Sequence, residues 1–148
     1  MVYDAVKKDS KSLGWSGSLK GSLFPLFLGI MIKFSCESVA IKKLVGNEDL
    51  YNLLGETECT ITKEQEAEWH KWCIREVEKR VDAIITGKLR RSYNKAARLI
   101  AAVYEMWLLR NENDPMSFVS GFLAKYPRHT AFKSELKTAM NDVKHGFL

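Results

Sequence analysis

Residues 62–87, TKEQEAEWHKWCIREVEKRVDAIITG, decide the fold. Thr62 followed three residues later by Gln65 has the form of a capping box, in which each side chain satisfies a backbone N–H that an emerging helix leaves without a partner. Glu64, Glu66 and Glu68 then fall at the positive end of the helix dipole, and Lys71, Arg75, Lys79 and Arg80 come later, where the dipole favours cations. Trp69, Trp72, Cys73, Val77, Val81, Ile84 and Ile85 recur at steps of three and four residues and so make one apolar face. Gly87 is a natural stop. The pattern predicts a single long amphipathic helix.

Working outward toward the C-terminus, the same logic predicts three more helices. From about Arg90 to Leu109, Tyr93, Ala96, Ala97, Ile100, Val103, Tyr104 and Trp107 form a continuous stripe, and Ala96 with Ala97 lets a neighbour approach closely. The break at Asn111-Glu112-Asn113-Asp114-Pro115 supplies Asp114 as a cap and Pro115 for a first helical position. A third helix carries Phe118, Val119, Phe122 and Leu123 and is expected to end near Tyr126, because Pro127 disfavours helical geometry before it. A fourth is predicted from about Thr130 to Val143, with Phe132, Leu136, Ala139, Met140 and Val143 inside and Gly146 just past its end. Helices joined by short loops pack as antiparallel neighbours. The expected fold class is all-α: an up-and-down bundle or helical-hairpin array of about four main helices, preceded by an irregular N-terminal segment.

Toward the N-terminus the pattern weakens. Residues 1–22 are polar and rich in Gly, Ser and Lys, with too little apolar surface to offset the entropy of ordering. Residues 23–58 are apolar but irregular. Within them Glu37–Val45 fits a short helix ended by Gly46, and Asn47 fits the cap of another turn. Leu23–Phe34 contains Pro25, Gly29 and Lys33 and is too short for a spanning helix, which needs roughly 20 apolar residues. It reads as a buried segment, helix or strand, rather than a membrane-associated one. The helical domain proper is expected at residues 59–148.

The landmarks RVDAIITGKLRRSYNKAARLIAAVYEM and FLAKYPRHTAFKSEL, between Arg80 and Leu136, carry a resemblance. Tyr93, Ala96 and Ala97 followed by Tyr126-Pro127-Arg128-His129 and Ala131-Phe132 resemble the helical C-terminal tails of larger bacterial proteins, some with SWIM-type zinc fingers. The resemblance implies a scaffold beside a zinc-binding module. The Cys-x-Cys and Cys-x-His pairs of such a finger are missing from this sequence, so neither zinc nor nucleic-acid activity carries over from the resemblance.

Candidate chemistry is sparse. Lys and Arg outnumber Asp and Glu by 23 to 18, a modest excess that favours polyanions or acidic partners without selecting one. The sharpest cluster is Lys88, Arg91, Lys95 and Arg98, with Arg90 beside them. At steps of three and four they share a face if one helix holds them all. Cations at a helix start oppose the dipole, so helix stability does not explain them. A phosphate backbone, an acidic partner, or pairing with Glu76, Glu78 and Asp82 would. A second basic group comprises Lys125, Arg128, His129, Lys133 and Lys137. Cys59, His70 and Cys73, with Cys36 as a fourth, are of ligand type, but they include no close cysteine pair, and Cys73 on the apolar face reads as a buried thiol. His70, His129 and His145 are scattered, no nucleophile elbow or metallopeptidase pair occurs, and the Gly14–Ser22 run lacks the ending of a P-loop. No catalytic residue, metal ligand or cofactor is therefore assigned.

The three cysteines are odd in number and without paired spacing, as expected of a reducing, cytoplasmic setting. The function expected is that of a non-enzymatic scaffold or protein-interaction module that binds a protein partner or itself. The alternative is a basic helical protein that binds nucleic acid through Lys88, Arg90, Arg91, Lys95 and Arg98.

Overall fold

The structure, a computed structural model, describes residues 62–111 and 113–146, with side chains as far as 143. The expectations for residues 1–58 lie outside the described residues. Four α-helices follow in order: α1 (Lys63–Thr86), α2 (Tyr93–Arg110), α3 (Pro115–Lys125) and α4 (Thr130–Gly146), with a short 3-10 turn (Arg90–Ser92) leading into α2. Among the described residues there is no strand, and no helix is long and apolar enough to cross a membrane.

The helix ends form as their residues dictate. Thr62 Oγ1 accepts from Gln65 N at 3.2 Å, and Gln65 Oε1 accepts from Thr62 N at 3.1 Å, completing the capping box. Asp114 Oδ1 accepts from Met116 N at 3.0 Å, with Pro115 at the first helical position of α3. Asn111 closes α2 in the left-handed region at φ 53°, a conformation its short polar side chain tolerates. Two expectations are corrected at the ends. The last turn of α1 holds no basic residue, and Arg80 is buried rather than set against the dipole. Helix α4 includes Gly146 instead of stopping short of it.

The chirality of the α1–α2 turn rests on two residues. Leu89 N donates to Ile84 O and Lys88 N to Ile85 O, both at 3.0 Å, which is a Schellman closure with Lys88 in the left-handed position at φ 53°. Gly87 itself is right-handed, and what it requires is space: a Cβ there would lie 2.8 Å from Ala83 O.

The helices run up, down, up, down. Trp107 near the end of α2 reaches His70 near the start of α1, and the same indole meets Phe118 at the start of α3 with ring centroids 5.4 Å apart. At the other end Tyr93 opens α2 against Phe132 in the first turn of α4, at 6.1 Å. Tyr126, just past α3, meets Phe132 at 6.4 Å. Helix α2 packs against α1, α3 and α4, and it is the centre of the molecule. The expected stripe on α2 is corrected to a helix buried on every side, since all residues from Leu99 to Met106 are buried. That includes Ala101, Ala102 and Glu105, which the helical periodicity does not place with Tyr93 and Ile100.

Substitutions at the α1–α2 turn should have opposite signs at neighbouring positions. Gly87→Ala is expected to destabilise by about 1–2 kcal/mol, because the Ala83 carbonyl must move. Lys88→Gly is expected to stabilise by about 0.5–1 kcal/mol, by relieving the left-handed strain. Chemical denaturation of the two variants beside the parent checks both.

Candidate functional site

The basic residues do not lie along one helix. Lys88 sits in the left-handed turn position, Arg90 and Arg91 in the 3-10 turn, and only Lys95 and Arg98 on α2. The single-face arrangement expected for Lys88, Arg91, Lys95 and Arg98 is thereby corrected: the chain reverses between Lys88 and Tyr93, so helical spacing does not carry across it. Lys88, Arg90 and Arg91 are exposed, whereas Lys95 and Arg98 are partly buried and each engaged by other groups. The expected pairing with the carboxylates of α1 takes a different form. Glu76 Oε1 accepts from Lys79 Nζ at 2.9 Å, within the same helix, and Asp82 binds the far end of α3.

Asp82 is the polar joint of the molecule. Its Oδ2 accepts from Lys125 Nζ at 2.5 Å, and its Oδ1 accepts from the Tyr126 hydroxyl, so one carboxylate ties α1 to the residues that end α3. Burial, then the hydrogen bond to Asp82, then the Asp82 charge push the Tyr126 phenol well above its usual range. Beside this joint, between α1 and α3, runs an open groove of about 460 Å³. Trp107, Phe118 and Phe122 give it an aromatic lining, Glu78 and Asp82 line its α1 side, and Ser117, Gly121 and Lys125 line its α3 side. A Cβ at Gly121 would meet nothing within 4 Å, so this residue opens the groove rather than serving a close helix contact. Sequence reasoning missed the groove because its residues come from three helices; Gly121, a helix-interior glycine facing no neighbour, was the one local signal.

The remaining candidates resolve into structural roles. His70 Nε2 accepts from Trp107 Nε1 at 3.0 Å, which holds α1 to α2 and occupies the nitrogen that would reach a ligand. Trp69, Trp72 and Tyr104 are buried in the one core, with Trp107 partly buried against it. Burial, with Glu76 adding to it, pushes the Cys73 thiol well up, which leaves it protonated and unreactive at neutral pH. Burial likewise lowers the Arg80 guanidinium, against the opposing pull of Glu76. Among the described residues no group of three or more His, Cys, Asp or Glu side chains converges as for a metal; Cys36, Cys59 and the His145 side chain lie outside them.

No protein-family model matches the chain, and neither a curated protein nor a solved structure does. The groove and the charged end beyond it are therefore read from their own chemistry.

The Asp82–Tyr126 bond sets an alkaline limit. The folded state retains a phenolic proton that the unfolded chain releases near pH 10. Its stabilisation is therefore complete below about pH 10 and is lost as pH rises beyond that. Tyr126→Phe is expected to cost about 1–2 kcal/mol at pH 7 and to remove this component of the alkaline decline. Urea denaturation of both proteins between pH 7 and pH 11 measures it.

Proposed function

We propose that the chain is a non-enzymatic helical interaction module, which receives a protein segment in the groove between α1 and α3. The observation that carries this reading is the make-up of the groove: partly buried Trp107 with the edges of the core residues Phe118 and Phe122 at its floor, and Glu78, Asp82 and Lys125 beside them. Aromatic anchors within a polar rim are the usual anatomy of a protein interface. A groove with an apolar floor and a polar rim suits an apolar side chain of a helix or extended segment, either from another protein or from a second copy of this chain.

Two further features support a scaffold. Leu108 and Met116 are exposed on either side of the α2–α3 connection, at the end of the molecule where Trp107 and Phe118 meet. They add exposed apolar side chains at that end. The resemblance of residues 80–136 to helical tails beside zinc-binding modules agrees with a supporting role. The buried thiol of Cys73 and the odd cysteine number agree with a cytoplasmic setting.

Gly121→Arg tests the reading without breaking the fold, since the added side chain enters open space and replaces a poor helix former, a change worth up to about 1 kcal/mol in favour of α3. The variant is expected to keep its helical circular dichroism and to melt no lower than the parent. It should also lose, by at least about tenfold, both self-association in sedimentation velocity and the adducts formed by a photo-crosslinking residue at Ser117. Identical association and crosslinks in parent and variant would remove the groove from the proposal.

A further inference from the structure

The two basic groups, about forty residues apart in the sequence, come together at one end of the bundle. The contacts that place them are the Tyr93–Phe132 ring pair at 6.1 Å and the Asp82 bonds to Lys125 and Tyr126. Arg90 and Arg91 immediately precede the first of these residues in the chain. Arg128 and His129 follow Tyr126, and Lys133 follows Phe132. We infer that this end, formed by Lys88, Arg90, Arg91, Arg128, His129 and Lys133, is a nucleic-acid surface that grips the phosphate backbone without reading bases.

Four observations carry the assignment. Lys88, Arg90, Arg91 and Arg128 are exposed, and no ion pair among the described residues ties them down. Of the nearby carboxylates, Asp82 is already held by Lys125 and Tyr126, while Glu135 lies further along α4. The helices that begin at this end, α2 and α4, carry no acidic residue in their first turns, and since the dipoles of α1 and α3, which end here, oppose theirs, the positive field comes from the side chains. The opposite end of the molecule mixes Glu64, Glu66 and Glu68 with Lys63, Lys71 and Arg110, so the cationic excess lies at the end formed by the α1–α2 and α3–α4 turns.

Chemistry then separates the partners. Three of the cations are arginines, whose planar forks bind phosphate oxygens in pairs. An anionic bilayer would also attract the charge, but stable attachment needs a second, apolar signal, and Leu89 is the one large exposed apolar side chain at this end among the described residues. An acidic protein would need a desolvated apolar centre between the charges, and the aromatic surface lies instead in the groove between α1 and α3. The phosphate surface is separate from the groove, so either stands without the other.

The test is fluorescence anisotropy with a short mixed-sequence DNA duplex and a single-stranded RNA, at salt from about 50 to 200 mM. The parent is expected to bind at least one probe, with affinity falling steeply as salt rises. Arg91→Glu with Arg128→Glu should weaken binding at low salt by at least about tenfold and flatten the logarithmic salt slope by about 2, close to 0.9 for each lost phosphate contact. Arg91→Gln with Arg128→Gln, which removes charge without adding any, should give a smaller loss in the same direction. Lys63→Glu with Lys71→Glu changes the net charge equally, at exposed positions away from this end, and should alter affinity by less than about twofold. Absence of binding to both probes at low salt, an equal loss in the Lys63/Lys71 variant, or binding to phosphatidylserine vesicles alone would each overturn the inference.

Discussion

Helix α2 has no face that water reaches between Leu99 and Met106, and the other helices are arranged around that fact. An ordinary surface helix buries one stripe and leaves the rest solvated. Here the alanines at 96, 97, 101 and 102 reduce the girth of α2, while Leu99, Ile100, Val103 and Met106 fill the space toward its neighbours. The three surrounding helices need only one apolar face each, whereas α2, which also carries an apolar stripe, is covered beyond that stripe from Leu99 to Met106. Burying charge in such an interior is costly without compensation. Glu76, Arg80 and Glu105 are all buried and each is engaged by another group, although Nε and Nη1 of Arg80 make no hydrogen bond, so its compensation is partial.

The same arrangement determines where function can lie. The core takes the tryptophans of α1, the Cys73 thiol and one nitrogen of His70, and so removes them from contact with ligands. What it leaves outside is of two kinds: an aromatic groove where α3 diverges from α1, and a cationic end where the α1–α2 turn meets the α3–α4 turn. Asp82 stands between the two. It lines the groove, and by holding Lys125 and Tyr126 it fixes the position of the Pro127–His129 loop against the end of α1. The groove and the cationic end thus share one hinge of polar bonds while presenting different chemistry.

The helices were legible because their determinants are local. Thr62 with Gln65, Asp114 with Pro115, and Pro127 after Tyr126 act within a few residues, and the apolar steps of α1 repeat often enough to show their period. Helix α2 was legible as a helix but not as a buried one, because a run such as Leu99 to Met106 shows no period once every face is apolar. The basic residues were misaligned for a different reason. Spacing of three and four carries meaning only while the backbone stays helical, and the turn at Lys88 interrupts it. Their meeting with Arg128 and Lys133 depends on the Tyr93–Phe132 contact, which joins residues too distant for any local pattern to relate. The groove was hidden likewise, since its aromatic residues belong to the same apolar repeats that build the core.

Encasement of α2 also shapes how the molecule breathes. A peripheral helix can fray or detach while the remainder holds, and its amides then exchange with solvent at a free energy below that of complete unfolding. The amides from Leu99 to Met106 have no such shortcut, because loosening any one neighbour still leaves others against them. Deuterium should therefore enter that octet only when the whole domain opens, making the middle of the chain's most alanine-rich helix its slowest clock.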